Sequence, residues 1–373
     1  MTPEYTGTHR GAPYRICIPE SWNGQLVMSA QGWPATGSDL AYKSQIDIPM
    51  GNPYLLELGY AWAASGFNPK HFLPHNSHNF VPYQAAHDLA ALHDHVLDTF
   101  DTPSRTYLTG LSMGGNTVLH ALELFPGRYA GALVWSTAAG LFTLDYEAHT
   151  FVLGAFAAGI SPDQYQGTDS LVDLTRYHIV PTLSDDSKAA ALFFGLWTAL
   201  SGGQRPFAKT TLAETYIDAV GIDRVPLVLE HNAFDNRDYV YPAAPGIDSQ
   251  TINQGVIRIA ADPAVRQADP NFSSPTGAVP VPLLMMHTTG DSGTPFSVLQ
   301  DFRRAAEQTG DAERLVQRAV QAPGHGDFSG EEIERAWDDF FAWCAGGENP
   351  AGDDMLGATA EIGAAFTDPP RRH

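Results

Sequence analysis

The sequence predicts an α/β protein, with a mainly parallel sheet flanked by helices and a mostly helical segment inserted into it. Three observations point there. Short β-branched and aromatic runs alternate with stretches of helical spacing over residues 14–136, the pattern of parallel strands joined by crossover helices. The same alternation resumes over residues 281–345. Between the two, apolar helices and polar loops replace it. The expected division is a core of residues 1–136 and 281–345, an inserted cap of residues 137–280, and a loosely structured tail of residues 346–373 rich in Gly, Ala, Asp and Pro.

Residues 14–19 and 25–30 are the first expected strands, and Trp22-Asn23-Gly24 between them carries an Asn-Gly hairpin signal. Residues 60–65 form a third strand, bounded by Gly59 and Gly66. Over residues 83–100 the spacing turns helical, with Ala85, Leu89, Leu92, Val96 and Phe100 on one face. A strand at 105–109, a helix ended by Pro126-Gly127 and a strand at 131–136 complete the first half. In the cap, residues 151–160 and 189–200 read as apolar helices, the second opened by the capping residues Ser184, Asp185 and Asp186. Its Phe193, Phe194 and Trp197 either line a substrate pocket or form the cap's own core, and packing is the commoner fate of buried aromatics. The second half offers a strand at 281–287, a loop at 288–295 and a helix at 296–309. A last strand at 315–320 follows, then a closing helix at 330–343 with Ile333, Trp337, Phe340 and Phe341 inward.

Gly110-Leu111-Ser112-Met113-Gly114 stands where the strand at 105–109 becomes a helix. A turn that tight requires small residues beside the serine. It holds the serine Oγ exposed above the sheet, with the next backbone N–H facing the same space at a helix N-terminus. Ser112 is thereby the candidate nucleophile and the Met113 N–H a candidate oxyanion donor. A serine hydroxyl needs a base to take its proton, and the base needs a carboxylate to orient it. In the chain order Ser, acid, His, one set fits. Asp291 lies in Gly290-Asp291-Ser292-Gly293-Thr294-Pro295 and His325 in Pro323-Gly324-His325-Gly326-Asp327, each directly after a strand. Both therefore belong at the C-terminal strand ends, where open α/β sheets place their ligands. Asp327 is a weaker choice for the acid, because adjacency points its carboxylate away from the ring nitrogen to be held.

On these residues the chain resembles serine hydrolases of the α/β-hydrolase superfamily that carry a large cap; the likeness covers residues 12–136 and 281–345. It implies Ser112 as nucleophile, His325 as general base and then acid, and Asp291 as the orienting carboxylate. It also implies a second oxyanion donor from the loop after an early strand, often in a His-Gly-aromatic motif. Here that loop reads Gln31-Gly32-Trp33, so the donor is the Trp33 or Gly32 N–H, and Gln31 replaces the usual histidine. The expected reaction is hydrolysis of a small-molecule carboxylic ester through an acyl-enzyme. The apolar cap points to a bulky hydrophobic or aromatic substrate, with Gln31, Phe193 and Trp197 as pocket candidates. A peptidase or amidase, an acyltransferase using the same three residues, and a non-catalytic binding module remain open as alternatives. An aspartate nucleophile is excluded by Ser112.

The formal charge of −21 disfavours nucleic acid and anionic membranes as partners, and no apolar run is long enough to span a bilayer. No phosphate loop or dinucleotide fingerprint is present, and no cofactor is expected. His71, His75 and His78, then His87, His93 and His95, lack the spacing of a zinc site. Residues 234–239 cluster oxygens without the glycine of a calcium loop. Cys17 and Cys344 read as two separate thiols, though spacing alone leaves a pairing open. The N-terminal residues lack the apolar stretch of a signal peptide, so a cytoplasmic protein is expected, or a secreted one whose leader is absent from this sequence.

Overall fold

The strands β1 (Glu4–His9), β2 (Ala12–Cys17), β3 (Gln25–Ala30), β4 (Ala61–Ser65), β5 (Arg105–Leu111), β6 (Gly131–Trp135), β7 (Leu283–Thr288) and β8 (Leu315–Val320) form one sheet. Its spatial order is β1-β2-β4-β3-β5-β6-β7-β8. The computed structural model describes residues 3–33, 46–66, 68, 70, 80–208, 233–262, 264 and 270–368. From β4 to β8 every neighbouring pair is parallel, and β1 and β2 join at one edge in antiparallel fashion. The central strands are buried on both faces, as a helix-covered parallel sheet requires. In β5, Tyr107 and Leu108 are both buried but belong to separate clusters on opposite faces.

Helices α2 (Pro82–Thr99), α3 (Met113–Leu124) and α9 (Ser297–Thr309) cover one face through Leu89, Val118, Leu122 and Phe302. Helices α1 (Asn52–Glu57) and α10 (Gly330–Cys344) cover the other, where Leu55, Trp337 and Phe340 meet Val27, Tyr107 and Trp135. Burying a side chain of that size contributes about 1.5–3 kcal/mol each, so both faces hold the sheet in place. Helix α10 opens with a full capping box, Ser329 and Glu332 each satisfying the other's backbone N–H.

Two sequence expectations are corrected at the N-terminus. The hairpin is made by Arg10-Gly11, at φ 50° and 98°, joining β1 to β2. The Asn23-Gly24 turn joins strands that are not neighbours, since β2 pairs with β4. Asn23 instead donates its N–H to the Gly59 carbonyl at 2.8 Å and its amide to the Leu58 carbonyl at 3.1 Å. A turn signal fixes local backbone, not which strands pair. Strand β1 itself escaped the sequence reading because it is exposed along nearly its whole length and so shows no apolar alternation.

Between β6 and β7 lie α4 (Leu141–Ala157), α5 (Thr168–Leu174), α6 (Val180–Asp185), α7 (Ser187–Leu200) and α8 (Ser249–Gly255). They enclose a cluster of their own that includes Phe151, Phe193, Trp197, Phe234 and Tyr241 and reaches Val81 and Met113 of the sheet region. Of the three capping candidates for α7, Asp186 does the work, accepting the Lys188 N–H at 2.8 Å. Residues 234–239 are built around Asn236, which is fully buried and bonds Tyr241 Oη, the Ile257 carbonyl and the Ile259 N–H.

After α10 the chain forms turns but no further helix or strand among the described residues. It is nonetheless pinned to β8, where the expectation was a loose tail. The Asp353 N–H donates to the Gln317 carbonyl at 2.8 Å, and Asp353 Oδ2 accepts the Ala319 N–H at 2.8 Å. Met355, Ile362 and Phe366 are buried. Low hydropathy hid these anchors, which are single residues spaced widely along polar sequence. Cys17 and Cys344 are both free thiols.

Three buried histidines make stability depend on pH. Burial pushes His93, His120 and His287 down to about 4 from 6.5. His93 is further fixed as a neutral ring, because its Nδ1 accepts an N–H from Arg128 at 2.9 Å. The unfolded chain binds protons at these sites that the folded chain refuses, so stability falls as pH drops through the window from 6.5 to about 4. Each histidine contributes a slope of about 1.4 kcal/mol per pH unit within it. Thermal melts are expected to hold steady above that window and fall steeply inside it; a flat melting temperature would contradict the assignment.

Candidate active site

Strands β5 to β8 run parallel, so their C-terminal ends share one edge, and the three sequence-selected residues all lie there. Ser112 follows β5 directly. It takes φ 59° and ψ −124°, a conformation that costs a non-glycine residue about 1–3 kcal/mol. Surrounding backbone enforces it: the Ser112 N–H donates to the Trp135 carbonyl at 3.0 Å, and its carbonyl accepts the Ala138 N–H at 3.0 Å. The flanking glycines are sterically required. A Cβ on Gly110 would sit 2.3 Å from the Gly114 carbonyl carbon, and one on Gly114 would sit 2.3 Å from the Ala30 carbonyl oxygen. Helix α3 begins at Met113, whose N–H, at the first helical position, has no acceptor within the helix.

The acid and histidine loops are zipped together. Thr289 and Gly290 donate their N–H groups to the Val320 and Ala322 carbonyls at 2.9 Å each, and Thr288 Oγ1 donates to the Gly324 carbonyl at 2.6 Å. His325 Nδ1 thereby comes to 2.7 Å from Asp291 Oδ2. Asp291 is fully buried, whereas the His325 side chain is 37 % exposed, so the ring presents an open edge. Burial alone would push the Asp291 carboxyl up. The facing His325, together with His287 and the Thr294 N–H, outweighs it and holds the carboxyl well below the usual range. Asp327, two residues from His325, is exposed, in contrast to the fully buried Asp291. Gly326 then turns at φ 66° against the Leu111 side chain, which sets the histidine loop beside the residue preceding Ser112.

A network that the sequence reading passed over steadies the carboxylate. Asp291 Oδ1 accepts the Gly293 N–H at 3.0 Å and the Thr294 N–H at 2.9 Å, and Thr294 Oγ1 donates to Oδ2 at 2.8 Å. Asp-Ser-Gly-Thr is a legible side-chain turn of the Asx type, so Thr294 had a local signal. Ser136 had none. It sits at φ 38° at the end of β6, with its carbonyl 3.0 Å from Thr294 Oγ1 and its hydroxyl accepting the Gly326 N–H at 3.2 Å. Arg205, buried between the Trp197 and Phe296 rings, donates Nε–H to the Thr289 carbonyl at 2.7 Å. Burial lowers its guanidinium to about 10, against the opposing pull of Tyr146 and Asp291.

On the other side of Ser112 lies the loop after β3. A Cβ on Gly32 would meet Ser112 Cβ at 3.9 Å, which places this backbone against the serine. The Gly32 N–H donates to Asp47 Oδ2 at 2.9 Å, so of the two candidate donors in this loop Gly32 is engaged within the protein. The Trp33 ring packs on Phe80 with centroids 5.0 Å apart and against the core of the inserted helices. Gln31 is buried with its Oε1 lacking a partner among the described residues. Phe193 and Trp197 are also buried, inside the core of the inserted helices. A cavity of about 340 Å³ opens beside the turn, lined by Leu111, Trp135, Ile46, Ile48, Met50 and Asp47.

The fold has known counterparts. A feruloyl esterase B from Aspergillus oryzae superposes with a TM-score of 0.51 at 14% identity, covering 94% of this chain and 82% of that one. The chain has the α/β-hydrolase fold. By sequence, the chain is 23% identical to an o-phthalyl amidase of Xanthobacter agilis over an alignment of 443 residues, covering 99% of this chain and 93% of the relative. No family model matches it. Among the described residues no group of three or more metal-binding side chains occurs. His87 is exposed, His93 sits between Arg128 and Thr106, and His95 stacks on His9. His71, His75 and His78 lie outside the described residues. Among the described residues no helix is long and apolar enough to cross a membrane.

Proposed function

We propose that this protein is a serine hydrolase that cleaves a carboxylic ester through an acyl-enzyme, with residues 137–280 acting as a cap over a core of residues 1–136 and 281–345. The observation that carries this reading is the buried Asp291 carboxylate held 2.7 Å from His325 Nδ1 at the same sheet edge as the strained Ser112. Because Nδ1–H donates a hydrogen bond to the Asp291 carboxylate, Nε2 keeps a lone pair and is the basic edge. It takes the Ser112 proton as Oγ attacks the substrate carbonyl, and Asp291 stabilises the resulting imidazolium. The Met113 N–H and the Trp33 N–H bind the oxyanion; removing one such donor costs about 3–4 kcal/mol of transition-state stabilisation. His325 then protonates the leaving alcohol, and water deprotonated by the same nitrogen releases the acyl group.

The aromatic-rich cap, with the partly apolar cavity beside the Ser112 turn, supports a bulky hydrophobic or aromatic substrate. Amide cleavage is the second reading, favoured by the amidase relative. Parallel assays of p-nitrophenyl esters of increasing acyl length and the matching anilides decide between them, with a fluorophosphonate label on the serine. Esters are expected to exceed anilides in kcat/KM by about 10²-fold or more, since an alcohol leaves with less proton assistance than an amine. Equal or greater anilide turnover would make the protein an amidase. Absence of both labelling and turnover would sink the hydrolase reading.

A further inference from the structure

His287 is a buried titratable side chain beside the triad to which the proposed mechanism gives no task. It lies near the end of β7, fully inside the protein, four residues before Asp291. Its Nε2 is 2.8 Å from the Thr294 carbonyl. A carbonyl only accepts, so the ring donates Nε2–H and carries its lone pair on Nδ1. That nitrogen has no partner among the described residues. Leaving one ring nitrogen of a buried histidine unmatched is costly. The committed bond is therefore the informative one.

Thr294 is the residue it holds. From this one residue the N–H reaches Asp291 Oδ1 at 2.9 Å, and Oγ1 lies 2.8 Å from Asp291 Oδ2 and 3.3 Å from His325 Nδ1. We propose that His287 is a positioning residue of the catalytic machinery: its Nε2–H fixes the Thr294 peptide, and Thr294 in turn aims the Asp291 carboxylate at His325. This rests on the serine-hydrolase reading. The charged and titratable groups that act on His287 are Asp291, His325 and Arg205. The first two belong to the machinery that it positions.

The donor, not the volume, carries the role, which makes it separable. His287→Gln keeps an N–H near Nε2, while His287→Met fills similar space without one. His287→Met is expected to lower kcat about tenfold, the worth of one buried hydrogen bond whose acceptor is left unsatisfied, with KM within about twofold. His287→Gln is expected to recover most of that loss. Thr294→Val should match His287→Met, and the double variant should be no worse than the poorer single, since both break one chain of contacts. Fluorophosphonate labelling of Ser112 in the parent protein is run first. If it fails, the hydrolase reading falls and this inference with it. If the parent labels, four results overturn the inference alone: kcat of His287→Met within about twofold of the parent, Gln no better than Met, losses that multiply in the double variant, or a fall in KM performance that tracks kcat. His287→Leu stands beside Met as a second apolar variant. If neither folds, His287 is a core requirement and the positioning role is rejected.

Discussion

Ser112→Ala is expected to abolish turnover, lowering kcat by about 10⁶-fold and removing fluorophosphonate labelling altogether. The variant loses only Oγ. The strained turn is held by the Ser112 backbone bonds to Trp135 and Ala138 and by the Gly110–Gly114 contact, none of which involves the hydroxyl. An alanine Cβ occupies the same place as the serine Cβ, so the φ 59° conformation costs each alike. Melting temperature should therefore be nearly unchanged. A folded Ser112→Ala protein that still hydrolyses the ester at an appreciable fraction of the parental rate would exclude Ser112 as the nucleophile.

Asp291→Asn should be nearly as damaging, with kcat about 10⁴-fold lower by analogy with other triads. The amide cannot serve both of its neighbours. With Nδ2 toward His325, Nδ1 must become the acceptor, so Nε2 carries the proton and cannot receive one from Ser112. With Oδ1 toward His325, Nδ2 faces the Gly293 and Thr294 N–H donors that now bond Asp291 Oδ1. Either orientation breaks part of the site. Because the Asp291 carboxyl lies well below the usual range in the folded protein, it remains ionised down to strongly acidic pH. Any stability that it contributes is present above the unfolded carboxylate range and lost only as pH falls toward the folded value. Asp291→Asn should therefore depress kcat across the whole neutral range. An Asn variant within about tenfold of the parent would show that another group orients the histidine.

Much of this molecule is legible in its sequence, and the reasons are local. The Gly110–Gly114 turn could be read because steric exclusion acts between backbone atoms a few residues apart. The helices expected over residues 83–100 and 189–200 followed from apolar spacing and match Pro82–Thr99 and Ser187–Leu200, and the order of Ser112, Asp291 and His325 followed from three strand ends. The signals that failed were those whose meaning lies elsewhere in the chain. Asn23-Gly24 announces a turn but not that its donors go to Leu58 and Gly59. Thr294 sits in a recognisable side-chain turn, yet nothing local shows that it also touches His325.

By itself, then, the sequence determined the strand–turn–helix that carries Ser112 and the strand ends that carry Asp291 and His325. Those features depend on φ/ψ sterics and on hydrophobic period, which short stretches encode. Only the tertiary structure decided that Asp291 is buried with its Oδ2 2.7 Å from His325 Nδ1, and that β2 pairs with β4. It alone set Gly32 against Asp47, placed His287 and Ser136 behind the acid loop, and anchored the tail on β8. Each of these is a contact between residues distant in the chain. Burial selects such contacts collectively, so no single stretch of sequence states them.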